Sequence, residues 1–377
     1  MVKLSAPACV LSDAISLASA IKRGGNSLCF AHLATTGDAV SITCTENTVG
    51  TIATSVSATI HEPGEIAVSI GRLAALLSSF AADAIVDIEA TTGAVNVVSG
   101  TSRLRLPAVS VADSPSAIAI EQEVGRVEIS SAAGLRLLEP LAVADTGRSR
   151  PYLAGVFWHS VQDQLVAAAT DGVRLIRTSV AACTFSEDRT LIVPTEVGVA
   201  LRGLLQKAQA PRVAVRRSRA LIAFDAPSFS FTARLIDSSF PAYESIIPPS
   251  ASSSVRCARL NLLAAVSRLG AVAPGFDTAL VALSWGNGNC LDLHLARCPL
   301  DGADVIAAEV HGSAQVALSL PQFAAVLKEF GSEQVQLETA DEQPVVIRGT
   351  DEKLALIVRS KWNFGSCGGK IGGQAGD

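Results

Sequence analysis

The fold of this chain is decided by three similar stretches: Ala67-Val68-Ser69-Ile70-Gly71-Arg72-Leu73, Ile192-Val193-Pro194-Thr195-Glu196-Val197-Gly198 and Ala317-Leu318-Ser319-Leu320-Pro321-Gln322-Phe323. Each runs from a short apolar strand into an amphipathic helix, and a Ser or a Pro-Thr pair before the helical period is a helix start signal. Val68, Val193 and Leu318 are equivalent, and 193 − 68 = 318 − 193 = 125. The spacing therefore predicts a structural unit that repeats every 125 residues.

The sequence around these stretches repeats as well. Alternating apolar and polar residues, typical of half-buried strands, follow each helix at 86–89, 213–216 and 335–338, and further strand-like runs come after them. Another helix is predicted near the front of each unit, at 12–22, 131–144 and 260–271, and Pro140 should kink or shorten the second. Each third therefore predicts two helices and about eight strands.

A period of this length implies three copies of a whole α+β domain, because solenoid units run only roughly 20–50 residues. A third of 377 residues is also close to a common domain size. The predicted domains are residues 1–123, 124–252 and 253–362, and the second boundary lies in a Pro/Ser-rich stretch. Residues 363–377 are Gly-rich and predict a flexible tail.

The composition predicts a soluble, cytoplasmic protein with large apolar cores. Hydrophobic residues make up 49% of the chain, charged residues 17%, and the net charge is −5. The mean hydropathy of +0.39 would suit a membrane protein, but no apolar run reaches the roughly 18 residues of a spanning helix. No signal-peptide pattern occurs at the N-terminus. Net acidity means that any contact with nucleic acid must come from local basic patches.

Motifs for metal binding and catalysis are missing from the sequence. The eight cysteines form no CxxC pair, and Cys290, His294 and Cys298 are spaced for ordinary strand packing, since four residues of strand span some 13 Å. GxSxG, HExxH, GxGxxG and Walker sequences do not occur. The sequence therefore predicts no catalytic residues, no metal site and no cofactor.

Positive charge is distributed over all six predicted helices. The residues are Lys22 with Arg23, Arg72, Arg136, Arg202 with Lys207, Arg268 and Lys328. A solvated polar face would explain any one of them. In an acidic chain, however, the full set favours a surface that attracts phosphate without reading base sequence, provided that the fold sets the helices side by side.

Three motifs in the middle third occur in a characteristic order: Arg150-Pro151-Tyr152-Leu153-Ala154-Gly155, then Ala169-Thr170-Asp171-Gly172-Val173-Arg174-Leu175, then Arg234-Leu235-Ile236-Asp237 with Phe240-Pro241-Ala242-Tyr243. Taken by itself, Asp171-Gly172 is a hairpin turn signal. Together the motifs resemble those of the bacterial β sliding clamp, the processivity subunit of DNA polymerase III. The resemblance covers about residues 1–360 and is strongest at 145–248.

The resemblance implies three tandem copies of the DNA-clamp domain, each with two helices packed on antiparallel sheet. Two chains would join head to tail, first domain to third, and close a six-domain ring. Such a homodimer encircles double-stranded DNA without sequence preference and tethers the replicative polymerase. It is not an enzyme, and it would work in the cytoplasm at the nucleoid. DNA polymerase, the clamp loader and repair proteins would bind through short peptide motifs.

The resemblance also assigns residues to two sites. A groove for partner peptides would consist of Leu153, Thr170, Gly172, Arg174, Leu175, Pro241 and Ile246. Leu153, Leu175 and Ile246 would form its apolar pocket, and Arg174 and Thr170 would hold polar atoms of the peptide. The DNA-binding residues would be Arg23, Arg148, Arg150 and Tyr152, which match the family's DNA contacts, together with Arg72, Arg202 and Lys207 from the basic helices.

Several groove positions depart from the family pattern. Val173 replaces the usual His, Ser245 replaces a common Arg, and Ile357-Val358-Arg359-Ser360 stands where the family has a Met-Pro-Met-Arg-like ending. These changes alter the polarity of the groove. They leave open an alternative, namely a divergent paralogous clamp or a clamp-fold scaffold that serves translesion or repair polymerases.

Overall fold

A computed structural model describes residues 2–21, 29–91, 93–147, 149–181, 185, 190–248, 251–273, 275–296, 302–340, 343–351 and 353–361. The predicted Gly-rich tail lies outside these residues. Within them, secondary structure repeats three times in the order strand, helix, four or five strands, helix, three strands. The predicted fold class, α+β with three tandem clamp-type units, is confirmed.

The first repeat contains two helices and nine strands, because its fourth strand is followed by a short extra one. Its elements are β1 Lys3–Pro7, α1 Ala8–Ala18, β2 Phe30–Thr36, β3 Ala39–Glu46, β4 Gly50–Ser57, β5 Thr59–Glu62, β6 Glu65–Ser69, α2 Ile70–Leu77, β7 Ile85–Thr91, β8 Ala94–Ser99 and β9 Ser102–Val109.

The second repeat contains two helices and eight strands. Its elements are β10 Gly125–Ser130, α3 Ser131–Leu137, β11 Gly155–Val161, β12 Gln164–Thr170, β13 Arg174–Ala181, β14 Leu191–Pro194, α4 Thr195–Ala208, β15 Arg212–Arg217, β16 Leu221–Ala226 and β17 Phe229–Arg234. The third repeat has the same order: β18 Ser253–Ala258, α5 Arg259–Val272, β19 Leu280–Trp285, β20 Cys290–Ala296, β21 Ala303–His311, β22 Ala314–Ser319, α6 Leu320–Lys328, β23 Gln334–Thr339, β24 Val345–Gly349 and β25 Leu354–Ile357.

The front helices differ from prediction in two of the repeats. Helix α1 begins four residues earlier than the predicted 12–22 and ends at Ala18, because its buried stripe starts at Ala8 and continues with Leu11 and Ile15. Helix α3 ends at Leu137, and Glu139–Val143 is a 3-10 helix with Pro140 in its first turn. The expected shortening by Pro140 is therefore confirmed.

The chain divides into two compact units, one of residues 1–167 with 179–240 and one of residues 168–178 with 241–377. These units do not follow the three repeats, and the domain boundaries at 123 and 252 stay a prediction. The first unit contains a thirteen-stranded antiparallel sheet in the order β10-β15-β16-β17-β4-β3-β2-β6-β9-β8-β7-β1-β5. Its helices are neighbours in the order α2, α1, α4, α3.

In the second unit, β13 pairs with β25, and the sheet continues in the order β24-β23-β18-β21-β20-β19-β22. Helices α5 and α6 lie against each other, and α5 packs on β18, β20 and β21. Leu262, Val266 and Leu269 of α5 are buried at helical spacing, as an amphipathic helix on a sheet requires.

Consecutive repeats are joined by antiparallel strand pairs of the same kind. The fourth strand of the first repeat, β4, pairs with the last strand of the second, β17, from Ser230↔Ala53 to Ala233↔Gly50. In the same way β13 pairs with β25, from Arg174↔Ile357 to Arg177↔Leu354. The fourth strand of one repeat thus always meets the last strand of the next, so the repeats follow one another head to tail.

Candidate partner groove and nucleic-acid interface

The turn between β12 and β13 is built by its own side chains. The Thr170 hydroxyl donates to the Arg174 carbonyl at 2.6 Å and accepts from the Gly172 N–H at 3.0 Å. Gly172 has φ of +89°, a backbone conformation that residues with a Cβ adopt only under strain. Thr170 and Gly172, both predicted groove residues, therefore hold the turn in shape.

Asp171 is the centre of this turn. Its Oδ1 accepts from the backbone N–H groups of Val173 and Arg174, at 2.9 and 2.7 Å, and its Oδ2 accepts from Nε and Nη2 of Arg174 at 2.9 and 2.7 Å. Partial burial acts to raise the pKa of Asp171, but these hydrogen bonds and the Arg174 charge outweigh it, so the pKa lies below its usual value. Asp171 was not among the predicted groove residues.

Arg174 is consequently part of the turn. Its guanidinium forms a bidentate ion pair with Asp171, and the two side chains are only 19% and 20% exposed. The prediction that Arg174 holds polar atoms of a partner peptide stays a prediction. The pairing adds a condition to it, because a ligand would have to share the guanidinium with Asp171.

The predicted apolar groove residues differ widely in exposure. Leu175 is 1% exposed and lies opposite Leu356 in the β13–β25 pair, whereas Ile246 is 47% exposed and Pro241 is exposed too. Leu153 is buried and belongs to the first unit, while the other six predicted groove residues belong to the second. In the second unit, therefore, Ile246 and Pro241 are the predicted apolar residues that present surface to a ligand.

Two further exposed apolar residues lie next to the turn. Val173 is 40% exposed, Val358 is 47% exposed, and the Val358 N–H donates to the Val173 carbonyl at 3.0 Å. Exposed apolar side chains beside one another are typical of binding surfaces. The sequence pointed to both as departures from the family pattern, but neither was among the predicted groove residues.

A buried tyrosine supports the segment that presents Ile246. Tyr243–Ile246 is a single 3-10 turn in which Tyr243 is 2% exposed and its N–H donates to the Pro241 carbonyl at 2.7 Å. Burial, followed by the charge of Glu244, raises the pKa of Tyr243 well above its usual range, so the phenol is neutral at physiological pH.

The basic helix residues of the first unit are used in two ways. Arg72 on α2 and Lys207 on α4 are exposed, and Lys207 Nζ lies 3.3 Å from Ser16 Oγ of the neighbouring helix α1. Arg202 instead donates to the Leu138 carbonyl at 2.6 Å, and Arg136 donates to the Ser179 carbonyl at 2.9 Å. Arg72 and Lys207 thus present charge on the helix layer, whereas Arg202 and Arg136 help to hold backbone in place.

The remaining predicted DNA residues lie in the segment before β11 or outside the described chain. Arg150 pairs with Asp145 at 2.8 Å, and Tyr152 is half-buried in the 3-10 turn Pro151–Leu153. Arg23 and Arg148 lie outside the described residues. The DNA-binding roles of all seven residues stay predictions.

One polar cluster contains the residue types of a hydrolase triad without its arrangement. Ser5 Oγ lies 2.7 Å from Nε2 of His61 and donates to Asp87 at 2.5 Å. In a triad the histidine lies between the serine and the carboxylate, whereas here the serine lies between them and gives its proton to the carboxylate. The cluster therefore ties β1 to β5 and β7.

The described part of the chain has neither a cluster of metal-ligating side chains nor a helix that could cross a membrane. No three His, Cys, Asp or Glu side chains in it are placed to hold a metal ion. Cys290 and His294 lie on β20, as strand packing predicts, and Cys298 is outside the described residues. No helix in that part is long and apolar enough to cross a membrane.

A family model and solved structures show which known proteins have this fold. Residues 136–242 match the family model for the central domain of the DNA polymerase III beta subunit. The crystal structure of DNA polymerase III subunit beta from Pseudomonas aeruginosa superposes with a TM-score of 0.87 at 22% identity, covering 96% of this chain and 100% of that one. A Bartonella birtlesii DnaN sliding clamp, solved bound to griselimycin, also gives 0.87 at 20% identity, with 96% and 100% coverage. The fold is that of the sliding clamps.

Relatives by sequence are also beta sliding clamps. The Beta sliding clamp of Pseudomonas aeruginosa is 29% identical over 235 residues, which is 62% of this chain and 63% of that protein. That of Synechococcus elongatus is 25% identical over 320 residues, 82% of this chain and 84% of that protein. The match to the first relative thus spans just under two thirds of its length. The chain is therefore similar to the bacterial DNA polymerase III β subunits, and its middle third matches the model of their central domain.

Proposed function

We propose that two copies of this chain form a ring that encircles double-stranded DNA and tethers the replicative DNA polymerase, as a non-catalytic processivity clamp. The observation that carries the proposal is the head-to-tail strand pairing of β4 with β17 and of β13 with β25. Such pairing lets identical units follow one another until the series closes, which is how rings form from head-to-tail contacts.

The ends of the series support closure by a second copy. At both junctions the fourth strand of one repeat pairs with the last strand of the next repeat. Within one chain no repeat follows the third, so its fourth strand, β21, has no such strand to pair with. No repeat precedes the first, so its last strand, β9, has none either. Among the described residues β21 pairs with β20 and β18, and β9 pairs with β6 and β8. Both strands are largely exposed. Within the described chain, residues 102–107 of β9 pair only with β8, and residues 303–307 of β21 pair only with β20, so each segment leaves one edge open. Pairing these segments between two copies would cover both edges and give a homodimer.

Charge on the helix layer supports contact with DNA. In the first unit four helices lie side by side, and the exposed Arg72 and Lys207 belong to two of them. A few exposed cations attract phosphate weakly and without sequence preference, as sliding requires, while the net charge of −5 discourages DNA from binding elsewhere. Acting on chromosomal DNA, the protein would work in the cytoplasm at the nucleoid.

The exposed apolar residues of the second unit support capture of partners. Val173 and Val358 offer exposed apolar surface at the Thr170–Arg174 turn, and Ile246 is a further exposed apolar residue of the same unit. Polymerase, clamp loader and repair proteins would place the apolar anchors of a short peptide against such residues.

The test is clamp loading onto nicked circular DNA, followed by gel filtration at high salt and by primer extension. A ring linked to DNA stays on the circle at high salt, because salt screens charge but does not open the ring, and it leaves when the DNA is linearised. It also lengthens the products that the polymerase makes in one binding event. Loss from the circle at high salt, with product length unchanged, would exclude the clamp function.

A further inference from the structure

An open cavity in the first repeat has a counterpart in the second repeat. We call it the first-repeat cavity: its volume is about 490 Å³, and its lining includes Glu65, Ala90, Thr91, Gly93, Ala108 and Ser110. In the second repeat, a smaller cavity of about 330 Å³ lies between the start of β14, the end of β15 and the segment after β17. The same three chain segments border both cavities, in the same places of the repeat.

Strand register shows which residues are equivalent. Val109 pairs with Ala67 in the first repeat, the Ile236 N–H donates to the Ile192 carbonyl in the second, and the Ser360 N–H donates to the Ala317 carbonyl in the third. Because 67, 192 and 317 are spaced by 125, the residues just before Val109, Ile236 and Ser360 are equivalent. They are Ala108, Leu235 and Arg359.

Residues at the ends of β7, β15 and β23 correspond in a similar way. Arg217 pairs with Gly125, and Thr339 pairs with Ser253, at the start of β10 and β18. In the first repeat the Ala90 N–H donates to the Val2 carbonyl, just before β1. Ala90, Arg217 and Thr339 are therefore equivalent.

Two of the three repeats have an arginine at one of these two sets of equivalent positions. In the third, Arg359 Nη2 donates to the Thr339 hydroxyl and, at 2.6 Å, to the Ala340 carbonyl. In the second, Arg217 lines the cavity, is 3% exposed, and lies with its guanidinium carbon 5.2 Å from the centre of the Phe185 ring. The first repeat has alanine at both equivalent positions, and its cavity of about 490 Å³ is larger than the second repeat's cavity of about 330 Å³.

The charge of the first-repeat cavity suits a cation. Glu65 is the only charged side chain among the described residues that line it, and Thr91 and Ser110 add hydroxyl groups. Glu65 is 57% exposed, and its Oε2 lies 3.0 Å from His32 Nε2 at the rim. The Thr91 carbonyl is the equivalent of the Ala340 carbonyl that accepts from Arg359 in the third repeat.

From this repetition we infer that the first-repeat cavity binds an arginine side chain of a protein partner, in the place that Arg359 occupies in the third repeat. The guanidinium would donate to the Glu65 carboxylate and to the hydroxyl and carbonyl oxygens at its base. A planar guanidinium suits several acceptors spread over one wall, whereas a lysine ammonium is a point charge. This site goes beyond the clamp function and does not depend on it.

The test is calorimetric titration of the full chain with N-acetylarginine methylamide, beside the corresponding citrulline and lysine compounds. Citrulline has nearly the same shape without the charge. We expect the arginine compound to bind about tenfold more tightly than the citrulline compound, as charge-assisted hydrogen bonds imply. Peptides with one arginine in an extended segment should bind more tightly than the free compound, because flanking backbone adds contacts.

Two variants and a control locate the binding. Glu65→Gln should weaken binding about tenfold, and Glu62→Gln, the same change at an exposed site outside the cavity lining, should not. Ala108→Arg, which supplies an arginine as the third repeat does, should abolish binding while the thermal unfolding temperature is retained. Equal binding of citrulline and arginine compounds, or equal loss with Glu62→Gln, would overturn the assignment. So would undiminished binding by Glu65→Gln.

Discussion

At the scale of single residues, the Thr170–Arg174 turn illustrates how a binding surface is held rigid. Four donors converge on the Asp171 carboxylate, two from the backbone and two from Arg174. The shape of the turn thus depends on one charge, and it fixes the position at which the exposed Val173 is presented.

Asp171→Asn should lower the free energy of unfolding by about 1–3 kcal/mol at pH 7, because it removes charge-assisted hydrogen bonds in a partly buried site. Folding lowers the pKa of Asp171 below 3.8. The stability that the ionised carboxylate contributes is therefore fully present above pH 3.8, and it is lost as the pH falls through the lower pKa of the folded state. Urea unfolding from pH 7 to pH 3 should show the two proteins converging. The exposed Asp163→Asn is the control, and an equal loss there would contradict the assignment.

Ile246 gives a direct test of the groove, because it is 47% exposed and its replacement leaves the core intact. Ile246→Asp should weaken binding of a Gln-Leu-x-Leu-Phe-type peptide at least about tenfold, since an apolar anchor would meet a charge. Fluorescence anisotropy measures the affinity. Leu175 is a poor choice for this purpose, because at 1% exposure its replacement by Asp would unfold the sheet.

The control for this titration is Val272→Asp, an equal change at a side chain that is 49% exposed on α5. It should leave peptide affinity unchanged. If the two variants bind the peptide as well as the unsubstituted protein does, the groove assignment is wrong.

At the scale of elements, the fold depends on strand pairs that join repeats. Gly50 starts β4 opposite Ala233 of β17, and a Cβ on Gly50 would meet the Ala233 Cα at 2.9 Å and the backbone oxygen of Thr232 more closely still. Only glycine allows these two strands their close approach.

Gly50→Ala should therefore destabilise the protein by about 1–3 kcal/mol, as overpacking against backbone does. Gly203→Ala is a matched substitution of opposite expected sign. A Cβ there meets nothing within 4 Å inside helix α4, so alanine should stabilise by about 1 kcal/mol. Chemical denaturation of both variants measures the two effects. A neutral Gly50→Ala would show that the β4–β17 pairing is looser than described.

At the scale of the whole molecule, the proposed ring depends on the exposed strands β9 and β21. Val305 on β21 and Val199 on α4 are both 58% exposed, so they form a matched pair of sites. Val305→Asp should convert a dimer of twice 38.8 kDa into a monomer, because it places a charge at the proposed junction, whereas Val199→Asp should not. Native mass spectrometry measures whether each variant has the mass of a dimer or of a monomer. A dimer that survives Val305→Asp would exclude β21 as the junction.

Much of the fold was predictable because the sequence patterns that determine its helices and strands are local and occur three times. The spacing of 125 between Val68, Val193 and Leu318 predicted the repeated strand–helix unit, and Pro140 predicted the shortened α3. The bounds of α1 were wrong by four residues because its buried stripe begins at Ala8, among small residues that give a weak periodic signal. The positions of the groove and DNA residues came from family resemblance, and their roles remain to be tested.

By itself, the sequence determined the threefold repetition, the α+β class and the order of elements, because hydrophobic periodicity and start signals act within a few residues. Only the tertiary structure decided which side chains are exposed and which hydrogen-bond to residues far away in the sequence. In the folded chain Arg202 donates to the Leu138 carbonyl, whereas Lys207 is exposed beside Ser16. Leu175 is buried, whereas Val358 is exposed. The tertiary structure also placed Arg359 where the first repeat has an open cavity. Exposure and pairing of this kind depend on which strands and helices become neighbours, and no local pattern encodes that.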